Sequence, residues 1–202
     1  MKLHKDDIDA LTEVINIGVG KAANSLNEIM EHHVSLQVPR VEIISEDDFK
    51  FNDHIMVEES ISSIHQKFDG EFSGSASLFF PETSAKNLVS NVTGDEMLSE
   101  DMDSIRSSTL LEIGNIVINA ILGTITNLLK SSVNFYLPEY HGGREIRKVV
   151  LSAIPPKNSK VIVKAETVFN LKELEITGFI LLIFEVKAIE QLIKMIEIYI
   201  NE

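Results

Sequence analysis

Two acid and amide pairs of identical spacing, Glu13 with Asn16 and Glu112 with Asn115, are the groups in this chain with the clearest chemical potential. A carboxamide both donates and accepts hydrogen bonds, so it can hold a water without adding charge, while a carboxylate can engage a cation. The chain has no Cys, which excludes disulfides, thiol nucleophiles, iron–sulfur clusters and thiolate-bound zinc. Chemistry therefore falls to oxygen, amide or imidazole groups.

Each pair belongs to a longer frame. Asp9, Glu13 and Asn16 are followed, after 22 intervening residues, by Pro39; Ser108, Glu112 and Asn115 are followed, after 22, by Pro138. The two stretches superpose without a gap, and apolar positions from Val14 and Ile113 to Val38 and Leu137 match as well. A shared core accounts for the apolar matches but not for the Glu and the Asn. One E-x-x-N on a surface helix carries no signal; its repetition does.

The elements that must position these groups follow from periodicity. On a helix advancing about 100° per residue, Asp9, Glu13 and Asn16 lie within an arc of roughly 60°. Ile8, Leu11, Ile15, Val19, Ala22, Leu26 and Ile29 form an apolar stripe on the other side. The second helix repeats the plan, with Leu110, Ile118, Ile121, Ile125 and Leu128 inward and Ser108, Glu112, Asn115, Asn119 and Thr126 outward. Asp6 or Asp7 is the expected N-cap of the first helix, which should run to about Glu31; the second should run to about Lys130.

Val34, Leu36 and Val38 alternate with polar residues and predict a strand that ends, or lies at an edge, at Pro39. An acidic connection is expected over Ser45 to Asp53, then a strand from Ile55 to Phe68, a two-residue turn at Asp69-Gly70 and a returning strand to Phe80. Pro81 suits the first turn of a short helix ending near Val92, and the polar stretch Thr93 to Asp103 is the natural joint. In the second half a strand should reach Pro138, a turn region should occupy Glu139 to Arg147, and strands should follow at Val149 to Ile154, Lys160 to Phe169 and Leu174 to Glu185. Gly74, Phe80, Leu88 and Val89 recur as Gly178, Phe184, Leu192 and Ile193. Each half thus reads helix, strand, long hairpin, helix. The expected fold class is α/β with mainly antiparallel strands and helices on the sheet faces: one pseudo-two-fold domain over residues 1–202, with repeats at about 6–92 and 104–196.

Composition narrows the function. A formal charge of -13 opposes phosphate backbones, so nucleic acid is not an expected partner. The charged N-terminus has no apolar leader, which points to the cytoplasm. Residues 113–129 carry no charge, yet Asn115, Asn119, Thr124, Thr126 and Asn127 would be costly in hydrocarbon, so a buried helix is expected rather than a membrane span. Gly18, Gly20 and Ala23 fit a loose dinucleotide fingerprint, but they fall inside a helical pattern rather than after a strand. Gly20-Lys21 evokes a phosphate loop whose first Gly and metal-binding hydroxyl are both missing. The adjacent His32 and His33 diverge on a helix and lack a third ligand at metal spacing; they, His4, His54, His65 and His141 are expected to be structural or solvated.

The doubled frame resembles the active-site signature of the CheC/CheX/FliY family of chemotaxis phosphatases, with Asp9, Glu13, Asn16 and Pro39 matching it once and Ser108, Glu112, Asn115 and Pro138 matching it again. Two copies in a chain of this length resemble the CheC-like branch; CheX-like chains carry one, and FliY-like chains carry a further switch domain. The resemblance implies hydrolysis of the aspartyl phosphate of the response regulator CheY. Asn16 and Asn115 would steer the water, and Glu13 and Glu112 would anchor on a cation of the partner's site. Asp9 and Ser108 would trim the rim, while Pro39 and Pro138 would shape the strand end. No cofactor or metal of its own is implied; Mg²⁺ is expected in the partner. CheD is a further partner the resemblance implies, and a monomer is expected. The alternative is a non-catalytic interaction protein, either a flagellar-switch component or an adaptor for CheD.

Overall fold

The apolar stripe of the first helix does what its spacing predicts. Leu11, Ile15, Val19, Ala22 and Leu26 are buried while Asp9 and Glu13 face outward. The computed structural model describes residues 5–29, 34–44, 60–71, 73–94, 102–143, 160–171 and 174–201. In chain order these form α1 (Lys5–Ile29), β1 (Val34–Ile44), β2 (Ile61–Gly70), β3 (Gly74–Pro81), α2 (Glu82–Thr93), α3 (Met102–Leu129), β4 (Val133–Phe135), β5 (Glu139–Gly143), β6 (Lys160–Leu171), β7 (Leu174–Glu185) and α4 (Val186–Asn201).

The seven strands make one sheet in the order β1, β6, β7, β3, β2, β4, with β5 also pairing with β2. All pairings are antiparallel. Exchanging β1 with β4, β2 with β6 and β3 with β7 returns the same order read from the other edge. The central pair is β3 with β7, where Gly74 stands opposite Phe184 and Phe79 opposite Phe179. The residues that recur between the halves, Gly74 with Phe80 and Gly178 with Phe184, therefore meet at the middle of the sheet. The outer strands match too: β1 spans Val34 to Ile44, and β4 and β5 together span Val133 to Gly143, each end 99 residues further along.

All four described helices share one core with one face of the sheet. Leu110, Ile121 and Ile125 of α3, Leu88 of α2 and Leu192 of α4 are buried with Ile64, Leu78, Phe80, Ile180 and Phe184 of the strands. Full burial of each such side chain is worth about 1.5–3 kcal/mol, and it outweighs the polar groups that α3 carries. Helix α1 crosses α3 at Gly18, where a Cβ would lie 2.7 Å from the Ile121 Cα. By length and composition α3 could cross a membrane over Asp103–Leu128, but its apolar residues are those of this core. On the opposite sheet face Phe79 and Phe179 stack with centroids 4.7 Å apart.

The expected antiparallel sheet with helices packed on it is present, and the four described helices share one face of it. Several expectations are corrected. Asp6 and Asp7 lie inside the first turn of α1, where they favour the helix dipole rather than cap it. Of the two expectations for Pro39, the edge holds and the strand end does not: β1 is an edge strand and runs through Pro39 on a register shift between Gln37 and Arg40. Asp69-Gly70 is not a two-residue turn, because both residues pair with β4 and the last β2–β3 pair is Phe68 with Gly74. Glu139 to Gly143 is a strand, not a turn, since β2 offers it a free edge. Thr126 is buried rather than outward, its hydroxyl donating to the Gly123 carbonyl at 3.1 Å. The expectations for Ser45–Asp53, Val149–Ile154, His4, His32, His33 and His54 lie outside the described residues.

Candidate active site

Each predicted pair sits on the outer side of its helix. Glu13 and Glu112 are exposed, Asn16 and Asn115 are half-buried, and Asp9 and Ser108 are exposed one turn before their Glu. Neither Glu makes an ion pair or hydrogen bond to another described residue. Ser108 donates its hydroxyl to the Ile105 carbonyl at 3.0 Å.

At the first pair, β1 lies beside α1 and is tied to it twice. Near the helix end, Asn27 donates to the Val34 carbonyl and accepts from the Val34 N–H. At the pair itself, the Val38 N–H donates to Asn16 Oδ1 at 3.3 Å. The register explains why this N–H is available: Gln37 pairs with Val168 and Arg40 with Glu166, so Val38 and Pro39 together oppose Thr167 alone. That is a bulge, and Pro39, which has no N–H to lose from a ladder, is suited to it. The 22-residue spacing from Asn16 to Pro39 thus sets the bulge beside the amide.

At the second pair the strand breaks at the same point. Phe135 pairs with Phe68 and Glu139 with His65, so Tyr136, Leu137 and Pro138 stand against Gln66 and Lys67, again one residue in excess. Leu137, which matches Val38, is 88% exposed, whereas Val38 is 4% exposed. Among the described residues no hydrogen bond joins Leu137 to Asn115. Instead Asn115 Oδ1 accepts from Asn119 Nδ2 at 2.6 Å. Asn119 Oδ1 accepts from Gln66 Nε2 at 3.1 Å, and the same nitrogen donates to the Tyr136 carbonyl at 3.0 Å. Gly114 lets α3 come down on β2 here, since a Cβ at that position would lie 2.6 Å from the Ile64 side chain.

In both places the amide oxygen is occupied from within the protein and the amide nitrogen has no described partner. The chemical consequence is a fixed NH₂ donor beside an exposed carboxylate, suited to orienting a water or a polar ligand oxygen. Phe135 and Tyr136, with Leu137, leave an exposed apolar rim beside the second pair. Sequence reasoning placed Asn119 on the correct face without assigning it a role, and missed Gln66 and the Val38 N–H. The i, i+4 spacing of Asn115 and Asn119 was the available signal.

Other candidates resolve differently. Gly18 and Gly20 are inside α1, so neither glycine motif forms a loop. Among the described residues no group of three His, Asp or Glu could hold a metal. His65 is buried on β2 with Nδ1 2.8 Å from the Ser77 hydroxyl. Burial lowers its pKa from 6.5, helped by Lys67 and His141 and opposed by Glu139.

No family model matches the chain. The CheY-P phosphatase CheC of Bacillus subtilis (strain 168) is 27% identical over 143 residues, which are 68% of this chain and 66% of that relative, just under two thirds of its length. Among solved structures, FliY of Thermotoga maritima superposes with a TM-score of 0.75 at 15% identity, covering 98% of each chain. The middle domain of FliM from H. pylori gives 0.60 at 12%, covering 96% of this chain and 99% of that one. The CheX of the CheX–CheY–BeF3–Mg complex from Borrelia burgdorferi gives 0.51 at 20%, covering 83% and 96%. The chain is thus similar in part of its sequence to CheC, and in its fold to FliY, FliM and CheX.

Proposed function

We propose that this protein is a CheY-phosphate phosphatase with two sites per chain, hydrolysing the aspartyl phosphate of the response regulator. An acyl phosphate is already activated, so the missing contribution is a water held in line with phosphorus. Asn16 and Asn115 supply it, each offering an oriented NH₂ without bringing negative charge to the phosphoryl group. Glu13 and Glu112 are poorly placed to be bases, because a carboxylate facing a phosphoryl group is repelled unless a cation intervenes. Their role is to engage a cation in the partner's site. Mg²⁺ belongs to that site, as it accompanies CheX and CheY in the Borrelia complex. Asp9 and Ser108 set the rim, one charged and one neutral. Pro39 and Pro138 shape the strand beside the amide.

The observation that carries this reading is that both amides have their oxygen tied inward, by different partners, on two exposed helix faces that also present a Glu. The reading includes one domain over residues 1–202 built from repeats at about 6–92 and 104–196, supported by the palindromic strand order. It also includes a cytoplasmic monomer. Incubating phosphorylated CheY with the protein and following phosphate release tests it: the account expects faster release, and an unchanged rate would reject it.

The second reading is a non-catalytic interaction protein, a flagellar-switch component or an adaptor for CheD. The observation behind it is the fold shared with the FliM middle domain, because a fold alone does not distinguish the two readings. Binding of CheY or CheD without any acceleration of phosphate loss is the outcome it expects.

A further inference from the structure

The two amides are oriented by unlike devices, and this bears on a residue outside the repeated frame. At the first site the donor to the amide oxygen is the Val38 backbone N–H, presented by the bulge. At the second it is the Asn119 side chain. The repeat places Gly20 where Asn119 stands in the second helix, and a Cβ on Gly20 would meet nothing within 4 Å. Opposite the first bulge stands Thr167, whose buried hydroxyl makes no hydrogen bond to a described residue. Among the described residues the first half therefore has no side-chain chain of bonds like that of Gln66 and Asn119.

The direction of the second chain of bonds is fixed at its inner end. A backbone carbonyl can only accept, so the Gln66 group facing Tyr136 is its NH₂, and the other hydrogen of that NH₂ goes to Asn119 Oδ1. Asn119 must then turn its own NH₂ toward Asn115, and Asn115 must accept through Oδ1. Gln66 is 2% exposed, and its Oε1 is buried without a partner, so the side chain gives up one hydrogen bond while holding this orientation. Leaving such an atom unpaired costs about 1–3 kcal/mol.

We propose that Asn119, anchored by Gln66, is a positioning residue of the second site: it holds Asn115 with its NH₂ outward, in place of the bulge N–H that does this at the first. The inference rests on the phosphatase reading above. Substitution at position 119 acts through Asn115 and on the second site alone.

The experiment uses the full chain and phosphorylated CheY, with kcat and KM measured separately. In an Asn16→Ala background, which leaves the second site, Asn119→Ala lowers kcat about tenfold with KM within about twofold. Asn119→Asp lowers kcat at least as far, because a carboxylate accepts from the Asn115 NH₂ and turns the amide around. In an Asn115→Ala background, adding Asn119→Ala removes nothing further, since the first site does not use it. A kcat within twofold of the Asn16→Ala parent overturns the proposal. So does an equal loss in the Asn115→Ala background, which would mark Asn119 as a residue of the fold. If Asn16→Ala with Asn115→Ala is itself as active as the unmutated chain, the phosphatase reading fails instead.

Discussion

The two helix-borne sites carry the same Glu, Asn and Pro in the same frame, with Asp9 in one where Ser108 stands in the other, yet the scaffold behind them differs. Around Asn16 it is a continuous edge strand with a bulge, and a backbone group orients the amide. Around Asn115 the strand is interrupted, Leu137 swings into solvent, and two side chains do the same task. The repeat preserved the direction of the amide while the means changed. A backbone donor survives every substitution at Val38 except proline, whereas the Gln66 and Asn119 chain of bonds can be lost one residue at a time. The second site is accordingly the more sensitive to sequence, and its exposed Phe135, Tyr136 and Leu137 give it the larger apolar rim.

The largest expected effects separate the sites. Asn16→Ala and Asn115→Ala should each remove one site, lowering its turnover on the order of 100-fold while the other continues. Single-turnover phosphate release from each variant measures the residual site directly, and equal, additive losses would argue that the two scaffolds are functionally equivalent. Glu13→Gln and Glu112→Gln should weaken engagement of phosphorylated CheY as well as turnover, each by about tenfold if a charge-assisted contact worth roughly 1.5 kcal/mol is lost. Equilibrium binding to the Glu double variant that matches the unmutated chain would remove the anchoring role.

A smaller effect tests the scaffold. Gly114→Ala places a methyl within 2.7 Å of Ile64 atoms and must lift α3 from β2. It should cost about 1–3 kcal/mol of stability and reduce activity more in an Asn16→Ala background than in an Asn115→Ala one. Urea unfolding with the two single-site assays checks this; equal losses would show that α3 moves as a body without disturbing Asn115 in particular.

The smallest concerns pH. His65 and Lys164 both have pKa values lowered by burial, Lys164 from 10.5 against the opposing pull of Glu42 and Glu166. Of the two, His65 is the one whose ordinary value, 6.5, lies near neutrality. Its folded pKa lies below 6.5, so on acidification the unfolded chain binds the proton first, and stability falls between 6.5 and the lowered folded value. The urea midpoint should therefore drop as pH is lowered through this window, and His65→Gln should flatten the drop. An identical pH slope in the variant would show that His65 is not its source.

What the sequence disclosed and what it hid follow from the range of the interactions. Glu112 and Asn115 stood out because α3 is otherwise so apolar, and the helical period alone put them on the outer face. The central meeting of Gly74 with Phe184 was foreshadowed by their recurrence as Gly178 and Phe80. Hidden were features set by pairing between distant segments. Asp69-Gly70 has the composition of a tight turn, but β4 claims both residues. Gly142-Gly143 reads as a turn, but β2 draws it into the sheet. Gln66 looks like one polar residue in an alternating strand until α3 is laid over it. Pro39 was legible as a strand oddity; its service to Asn16 depends on the register with β6.

The most direct test is phosphate release from phosphorylated CheY in the presence of the Asn16→Ala, Asn115→Ala double variant, with folding verified by its unfolding midpoint. The account predicts release at the rate of CheY alone while binding persists; release as fast as with the unmutated protein would contradict it.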